Sequence, residues 1–510
     1  MVSKILSCGL LGVDSSILEV EVDIQSGLPG TQIVGLPDAA VKEARERVRS
    51  AIIHSDYYYP MKKITVNLAP AHLKKMGSFF DLAIALGILE ASGQIEPLDR
   101  IKESLILGEL ALCGELRPIH GALLMAKKAE DHQVKNIILP VWNREEAALA
   151  EGLAVYPVNK LKDAVQVLCD PNPPPFEMDI EKIFRPEIQN GMDFSEVKGQ
   201  YQIKRGIEVA CAGNHNALLM GPPGCGKTMI ARRIPSIMPP LTLEEAIETS
   251  KIYSAGGLLE KNQALILKRP YRSPHHTASD ISVIGGGSYP KPGEVSLAHN
   301  GVLFLDEIAE FKKSVLQVLR QPIEEEKVSI SRVEYSTTFP SRFMLVAAMN
   351  PCPCGYLNHG EIPCVCSERQ IKSYQSRISG PLLDRIDIQL EVNKVNYRDL
   401  TGSYVEESSE TKRERIVSAR KRQLNRYKGQ GIYSNSQMSR GLIEKYCVLK
   451  ESSKELLREA MLGNHLSART YDRILKLSRT ISDLADREEI LESDLMEAIQ
   501  YRLADKVLRV

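Results

Sequence analysis

The chain is short of cysteine for its length, has no surplus of either charge, and nowhere stays apolar for long; each shortage removes a class of protein. Ten cysteines in 510 residues are too few for a disulfide scaffold, and four of them crowd into one short segment, which points to metal instead of oxidation. Lys+Arg and Asp+Glu balance at 65 each, so any nucleic-acid binding has to use a local patch or a pore. No apolar run reaches the ~20 residues of a membrane helix, and residues 1–20 carry Asp14 and Glu19 where a signal peptide has its apolar core. No membrane partner is expected, and the expected location is the cytoplasm. Hydrophobic content of 43% and charged content of 25% are those of a globular chain. At roughly 100–200 residues per domain the length suggests about three domains.

What is present begins with Gly221-Pro222-Pro223-Gly224-Cys225-Gly226-Lys227-Thr228, which matches G-x-x-x-x-G-K-[ST] and follows the apolar run 217–220. The glycines let successive N–H groups point at phosphates, Lys227 reaches the β/γ oxygens, and the Thr228 hydroxyl ligates Mg²⁺. ATP with Mg²⁺ is the expected cofactor. A second apolar strand, 302–305, ends in Asp306 and Glu307; the first can hold Mg²⁺ and the second can orient and deprotonate the attacking water. A third, ending at Met349, delivers Asn350 as a polar sensor of the γ-phosphate or the water.

Four cysteines follow immediately. Cys352-Pro353-Cys354 and Cys364-Val365-Cys366 offer two close thiolate pairs, the set a closed tetrahedral Zn²⁺ site needs, with His359 able to replace one of them. No open position or acid–base partner accompanies them, so a structural Zn²⁺ beside the sensor loop is expected. Elsewhere, residues 254–299 form a long insertion containing Arg272-Ser273-Pro274-His275-His276-Thr277 and Gly285-Gly286-Gly287, read as a loop facing a ring interior. Segments 327–332 and 334–339 alternate at period two and read as a β-hairpin, with Lys327 and Arg332 as its phosphate-facing cations. Residues 1–170 mix strand-like runs (18–24, 64–68, 137–139) with helices capped at Asp38 and beginning at Asp81. Residues 169–175 have the proline density of a stiff connector. Residues 412–428 carry eight basic side chains and one acidic, a solvated face or a DNA contact.

Three resemblances add to this. Residues 75–86, with 108–110 and 114–119, resemble the Lon-protease-type fold in the non-proteolytic form of RadA-like proteins; the register puts Phe79 at the nucleophile position and Leu123 at the catalytic lysine, with Ser78 one place off. Gly380 to Asp387 is similar to the arginine-finger segment of AAA+ rings related to magnesium chelatase and MCM motors, which implies that Arg385, with Arg377 as the alternative, enters the neighbouring subunit's site. In the same rings Val197-Lys198-Gly199-Gln200 resembles the segment beside the base, hairpins point into the pore, and Arg469, or Arg473, matches sensor 2. Over nearly its whole length the chain resembles the ComM/YifB family.

That resemblance implies an α/β protein in four parts: a Lon-protease/ribosomal-S5-domain-2-like domain without a catalytic dyad (1–168), a proline-rich linker (169–185), an AAA+ P-loop core with β-hairpin insertions and the four-cysteine site (186–394), and a C-terminal helical lid (395–510). It implies a hexameric ATPase acting on single-stranded or branched DNA in branch migration during natural transformation. The alternative is a magnesium-chelatase-like remodelling ATPase acting on a protein or metal-insertion partner, against which the Lon-like domain speaks. An ATP-dependent protease is opposed by Phe79 and Leu123.

Overall fold

A computed structural model describes residues 2–73, 75–96, 99–185, 191–260, 263–287, 290–331, 336–357, 359–395, 406–463 and 466–503. Two sheets organise them. The first has seven strands in the order Gly30–Val34, Lys63–Ala69, Asp14–Gln25, Ser3–Leu11, Ser104–Ile106, Asn136–Pro140 and Ala154–Val158. It is mixed: Asp14–Gln25 runs antiparallel to both neighbours, and the remaining pairs are parallel. The expected strands at 18–24, 64–68 and 137–139 lie inside these. The Asp38 carboxylate accepts from Val41 N at 2.8 Å and caps the helix Ala39–His54. The helix Asp81–Ala91 is buried all round and apolar between its ends, where the buried Asp81 and Glu90 are held by Arg47 and Ser3.

The second sheet is parallel, in the order Tyr271–Arg272, Val302–Leu305, Met344–Met349, Ala217–Met220, Ile388–Glu391. Its first strand in sequence, Ala217–Met220, lies between the fourth and the fifth, so the chain order reverses there. In open α/β sheets the crevice beyond the carboxyl ends of the strands at such a point is where ligands bind. All four residues of Ala217–Met220 and all six of Met344–Met349 are buried, which is why they read as continuous apolar runs. Helices Ser409–Arg426, Arg440–Tyr446, Glu451–Gly463, Ala468–Leu484 and Glu492–Leu503 follow. They close on the core through Gln423 Nε2 donating to Ala212 O at 3.0 Å and His215 Nε2 beside Thr480 Oγ1 at 2.8 Å. No helix among the described residues is long and apolar enough to cross a membrane.

Among the described residues the N-terminal part meets the rest at the helix Leu243–Gly256 and at the hairpin strand Ser336–Pro340. Gly121 N donates to Ser254 O and the Ser254 hydroxyl donates to Glu146 at 2.6 Å, joining the N-terminal sheet to the helix Leu243–Gly256. Beside them Leu123 is fully buried in a cluster with Leu241, Ala246 and Leu265. At the second place Gly12, at φ +62°, lies so close to Thr337 that a Cβ would come within 2.5 Å of its hydroxyl oxygen.

Two sequence expectations need amendment, and a third, the hairpin, is met within the described residues. The 254–299 insertion is not all loop: Tyr271–Arg272 is the edge strand of the parallel sheet, and Ser254 is buried against the N-terminal sheet. A strand of two residues leaves no period to detect. The hairpin pairs Lys327–Ser331 with Ser336–Pro340, but its tip, with Arg332, Glu334 and Tyr335, lies outside the described residues. The basic run on Ser409–Arg426 is largely turned to internal partners: Lys412 to Glu407, Arg415 to Glu208 and Glu407, Arg422 to Asp486, Arg426 to Asp483, and Arg420 is buried. Its charges answer Glu407 just before the helix and Glu208, Asp483 and Asp486, which are distant in sequence.

Candidate active site

The parallel register brings the polar groups together. Met220 pairs with Met349 and Leu305 with Ala347, so the residues that follow, Gly221, Asn350 and Asp306, leave the sheet at one rim. The loop 221–226 turns there into the helix Lys227–Ile237, with Gly224 at φ +74° and Gly226 at φ +93°. A side chain at Gly221 would strike Val392 O at 2.1 Å, so only glycine lets the loop pass under the neighbouring chain.

Lys227 Nζ lies inside this curve and donates to Gly221 O at 2.7 Å, Pro222 O at 2.9 Å and Asn350 Oδ1 at 3.1 Å. The Thr228 hydroxyl donates to Asp306 Oδ2 at 2.7 Å, so the two oxygens that would share a magnesium ion are already adjacent. Glu307 N donates to Asp306 Oδ1 at 3.0 Å, and the Glu307 side chain is 56% exposed. The array comprises an ammonium, a hydroxyl, two carboxylates and an amide around one loop of backbone N–H groups. It suits a magnesium–triphosphate ligand and a water to attack it. Gln200, at φ +54°, donates to Cys225 O at 2.9 Å, which fastens the segment 197–200 to the phosphate loop.

Cys352, Cys354, Cys364 and Cys366 come together with all four sulfurs within 4.8 Å of one another. The Cys352–Cys354, Cys352–Cys364 and Cys354–Cys364 separations are 3.4, 3.6 and 3.5 Å. A tetrahedron with metal–sulfur bonds of about 2.3 Å has edges of about 3.8 Å, so this set can hold a metal ion after a small expansion. The backbone N–H of Tyr356 leads the influences that bring the Cys354 thiol down to about 6, toward the thiolate a metal requires. The knuckle also touches the phosphate loop. Gly355, at φ +83°, packs so closely on Pro223 that a Cβ would lie 2.4 Å from its Cδ.

The arginines divide between the two rims. Arg377 donates to Ala309 O at 3.2 Å and Glu310 at 2.8 Å, just beyond Glu307. Arg385 is at the opposite rim, where Asn216, the residue before the strand Ala217–Met220, donates to Arg385 O at 3.0 Å. Arg385 pairs with Glu324 and not with Asp384 or Asp387, while Arg473 pairs with Asp387. Arg385, Arg469, Arg473 and Lys476 line one cavity of about 320 Å³ with Asn216 and Glu324. Arg385 first, then Arg469 and Arg473, keep the Glu324 carboxyl below its ordinary range. Neither Arg385 nor Arg469 is brought to the phosphate loop of its own chain.

In the N-terminal sheet, Phe79 packs against Phe80 at 4.8 Å between centroids, Ser78 donates to Glu109, and Leu123 lies in the junction described above. Sequence reasoning did not single out His276 within its run, yet its Nδ1 lies 3.9 Å from Glu307 Oε2. No local pattern announced it, because the two residues are brought together only by the pairing of Tyr271–Arg272 with Val302–Leu305.

Family models described as magnesium chelatase, subunit ChlI, match residues 193–400; subunit ChlI of Mg-chelatase, 20–143; and magnesium chelatase, subunit ChlI C-terminal, 406–502. The chain is 42% identical over 511 residues to competence protein ComM of Haemophilus influenzae, covering 98% of this chain and 97% of that protein. It is 42% identical over 507 residues to YifB of Escherichia coli, covering 98% and 96%. A shorter likeness, 35% over 88 residues, is to the DNA repair protein RadA of Haemophilus influenzae, 17% of this chain and 18% of that protein.

Proposed function

Since the chain belongs to the ComM/YifB family of magnesium-chelatase-like proteins, we propose that it is a ring-forming, ATP-driven DNA motor that promotes branch migration in recombination of incoming DNA. The observation that carries the ATPase part is the meeting of Lys227 with Asn350 and of Thr228 with Asp306 at one rim of the parallel sheet. ATP with Mg²⁺ supplies the phosphoryl group transferred to water. Lys227 exchanges its loop carbonyls for phosphate oxygens, Thr228 and Asp306 hold the magnesium, Asn350 orients the water, and Glu307 takes its proton.

The ring part is supported by the cations at the opposite rim. A cavity with Arg385, Arg469, Arg473 and Lys476, one strand length away from the loop of its own chain, is suited to a neighbour's triphosphate. There Arg385 stabilises the charge that develops in hydrolysis, with Arg469 or Arg473 beside it. A hexamer and a lid over residues 395–510, a core over 186–394, a linker over 169–185 and a Lon-protease-like domain over 1–168 complete this reading. Zn²⁺ on Cys352, Cys354, Cys364 and Cys366 braces the sensor and the phosphate loop. DNA is supported by the competence and DNA repair proteins among the relatives.

A second reading has its own support. The chelatase description matches residues 20–143 as well as the core, so the N-terminal domain no longer speaks against a remodelling ATPase acting on a protein or metal-insertion partner. The ATPase rate with and without branched, single-stranded and duplex DNA separates the two. Stimulation, strongest on branched or single-stranded DNA, is expected; a rate indifferent to all three contradicts the DNA reading.

A further inference from the structure

Four thiols meet in one knuckle, and that knuckle presses on the phosphate loop. Cys352 is buried, Cys354, Cys364 and Cys366 are partly exposed, and Val365 between the last two is 82% exposed. A small oxidant dissolved in water therefore reaches three of the four sulfurs. Partners for a disulfide are already adjacent: Cys352–Cys364 and Cys354–Cys364 are 3.6 and 3.5 Å apart, and Cys354 N donates to Cys366 Sγ at 3.4 Å. We propose that this cluster is a modification site for peroxides, and that its oxidation to two disulfides opens the knuckle and weakens ATP binding until the thiols are reduced. This rests on the readings of the cluster as a zinc site and of residues 221–228 as the ATP site.

The chemistry needs only these residues and one class of oxidant. A thiolate of Cys354, Cys364 or Cys366 attacks a peroxide oxygen; the O–O bond breaks, hydroxide leaves, and the sulfur becomes a sulfenic acid. The thiolate next to it displaces hydroxide from that sulfur and forms the S–S bond. Two thiolates have then given two electrons to one hydrogen peroxide, and two protons from solvent convert both hydroxides to water. A second peroxide oxidises the second pair. A tetrahedral zinc site needs all four sulfurs as thiolates, so the disulfides leave nothing to hold the ion. The other cysteines differ in kind. Burial pushes the Cys8 and Cys447 thiols up to about 12 and raises that of Cys211 as well, which keeps them protonated and unreactive. Cys113 and Cys169 are exposed, and Cys225 is buried within the phosphate loop.

The link to the nucleotide site has no slack. Gly355 follows Cys354 directly, and a Cβ there would lie 2.4 Å from Pro223 Cδ, so a displacement of Cys354 passes to the loop. At the other end only Pro351 separates Cys352 from Asn350, whose Oδ1 accepts from Lys227. Pro351 O accepts from Gln375 Nε2 at 3.0 Å, which anchors the reduced form. Drawing four sulfurs out of one tetrahedron into two separate pairs moves both ends of this connection.

The test uses the full chain carrying Cys113→Ser, Cys169→Ser and Cys225→Ala, in which the knuckle holds the only cysteines that are not buried in the core. Reduced, it should contain about one zinc per chain and bind a fluorescent ATP analogue. Hydrogen peroxide should release the zinc to a chromogenic chelator, and peptide mapping should find disulfides confined to Cys352, Cys354, Cys364 and Cys366. The Kd for the analogue should rise about tenfold or more over that of the same protein reduced, the scale on which losing an outer support weakens a site. Dithiothreitol with added zinc should reverse all of this. A Kd unchanged once the disulfides have formed, thiols that stay reduced under peroxide, or a loss that reductant and zinc do not reverse overturns the switch. A reduced protein without zinc that still loses the analogue on forming the disulfides removes the zinc reading and leaves the switch standing. A reduced wild type that binds no analogue overturns the ATP reading, and the switch with it.

Discussion

On the proposed reading, single residues at the rim of the parallel sheet divide the work of binding from that of turnover. Lys227 and Asn350 stand 3.1 Å apart over a loop suited to phosphate, whereas Glu307 projects beyond Asp306 with more than half of its side chain exposed. Glu307→Gln should therefore keep ATP binding and assembly and abolish turnover, because the amide keeps the size but cannot take a proton. Lys227→Ala should lose tight ATP binding. Binding of a fluorescent ATP analogue alongside phosphate release distinguishes them, and a Glu307→Gln protein turning over near the wild-type rate would refute its role as base. Gly221, Lys227 and Thr228 were legible in sequence because a phosphate loop needs contiguous residues in fixed order, and Asp306 and Glu307 because they end a short apolar strand. His276 was not, since its neighbour lies across a strand pair and the contact has no spacing of its own.

Elements carry the constraint from one part of the site to another. The four-cysteine knuckle leaves the sensor strand at Cys352 and returns to press Gly355 onto Pro223 of the phosphate loop. Gly355→Ala meets both a left-handed φ, worth about 1–2 kcal/mol, and a clash with proline. It should lower the melting temperature and weaken ATP binding; an unchanged ATP affinity would separate the knuckle from the loop. Elemental analysis of protein purified without added metal should find about one zinc per chain, lost with any Cys→Ser change at Cys352, Cys354, Cys364 or Cys366. A metal-free, fully active preparation would remove its structural role. The cysteine spacing was readable, but the contact with Pro223 was not, because it depends on how two loops leave adjacent strands. The charge run at 412–428 shows the opposite limit: eight cations in seventeen residues suggested a surface, while the partners Glu208, Asp483 and Asp486 are supplied by distant helices and the turn after one of them.

At the scale of the whole molecule the N-terminal sheet is tied to the same machinery. Leu123 fills the junction with the helix Leu243–Gly256. Leu123→Ala should cost about 2–5 kcal/mol and expose the segment 169–185, whose Met178, Ile180 and Phe184 pack on the same cluster, to protease faster than in wild type; unchanged cleavage would mean that the junction is not held there. The alternation of strands and helices made both α/β parts legible. Their joining was not, because it uses isolated residues such as Gly12, Glu146 and Ser254.

The central claim is that each nucleotide site is completed by a neighbour, since Arg385 stands at the rim opposite its own phosphate loop. Arg385→Ala should leave ATP affinity nearly intact and lower turnover by a factor on the order of 10³. The most direct test mixes two dead proteins, Lys227→Ala, which offers Arg385 but binds no ATP, and Arg385→Ala, which binds ATP but offers no arginine. Rings shown to contain both should recover hydrolysis at the interfaces where a Lys227→Ala subunit presents its arginine to an Arg385→Ala site. Mixed rings that recover none would contradict the account and return Arg385 to a pairing with Glu324 inside its own chain.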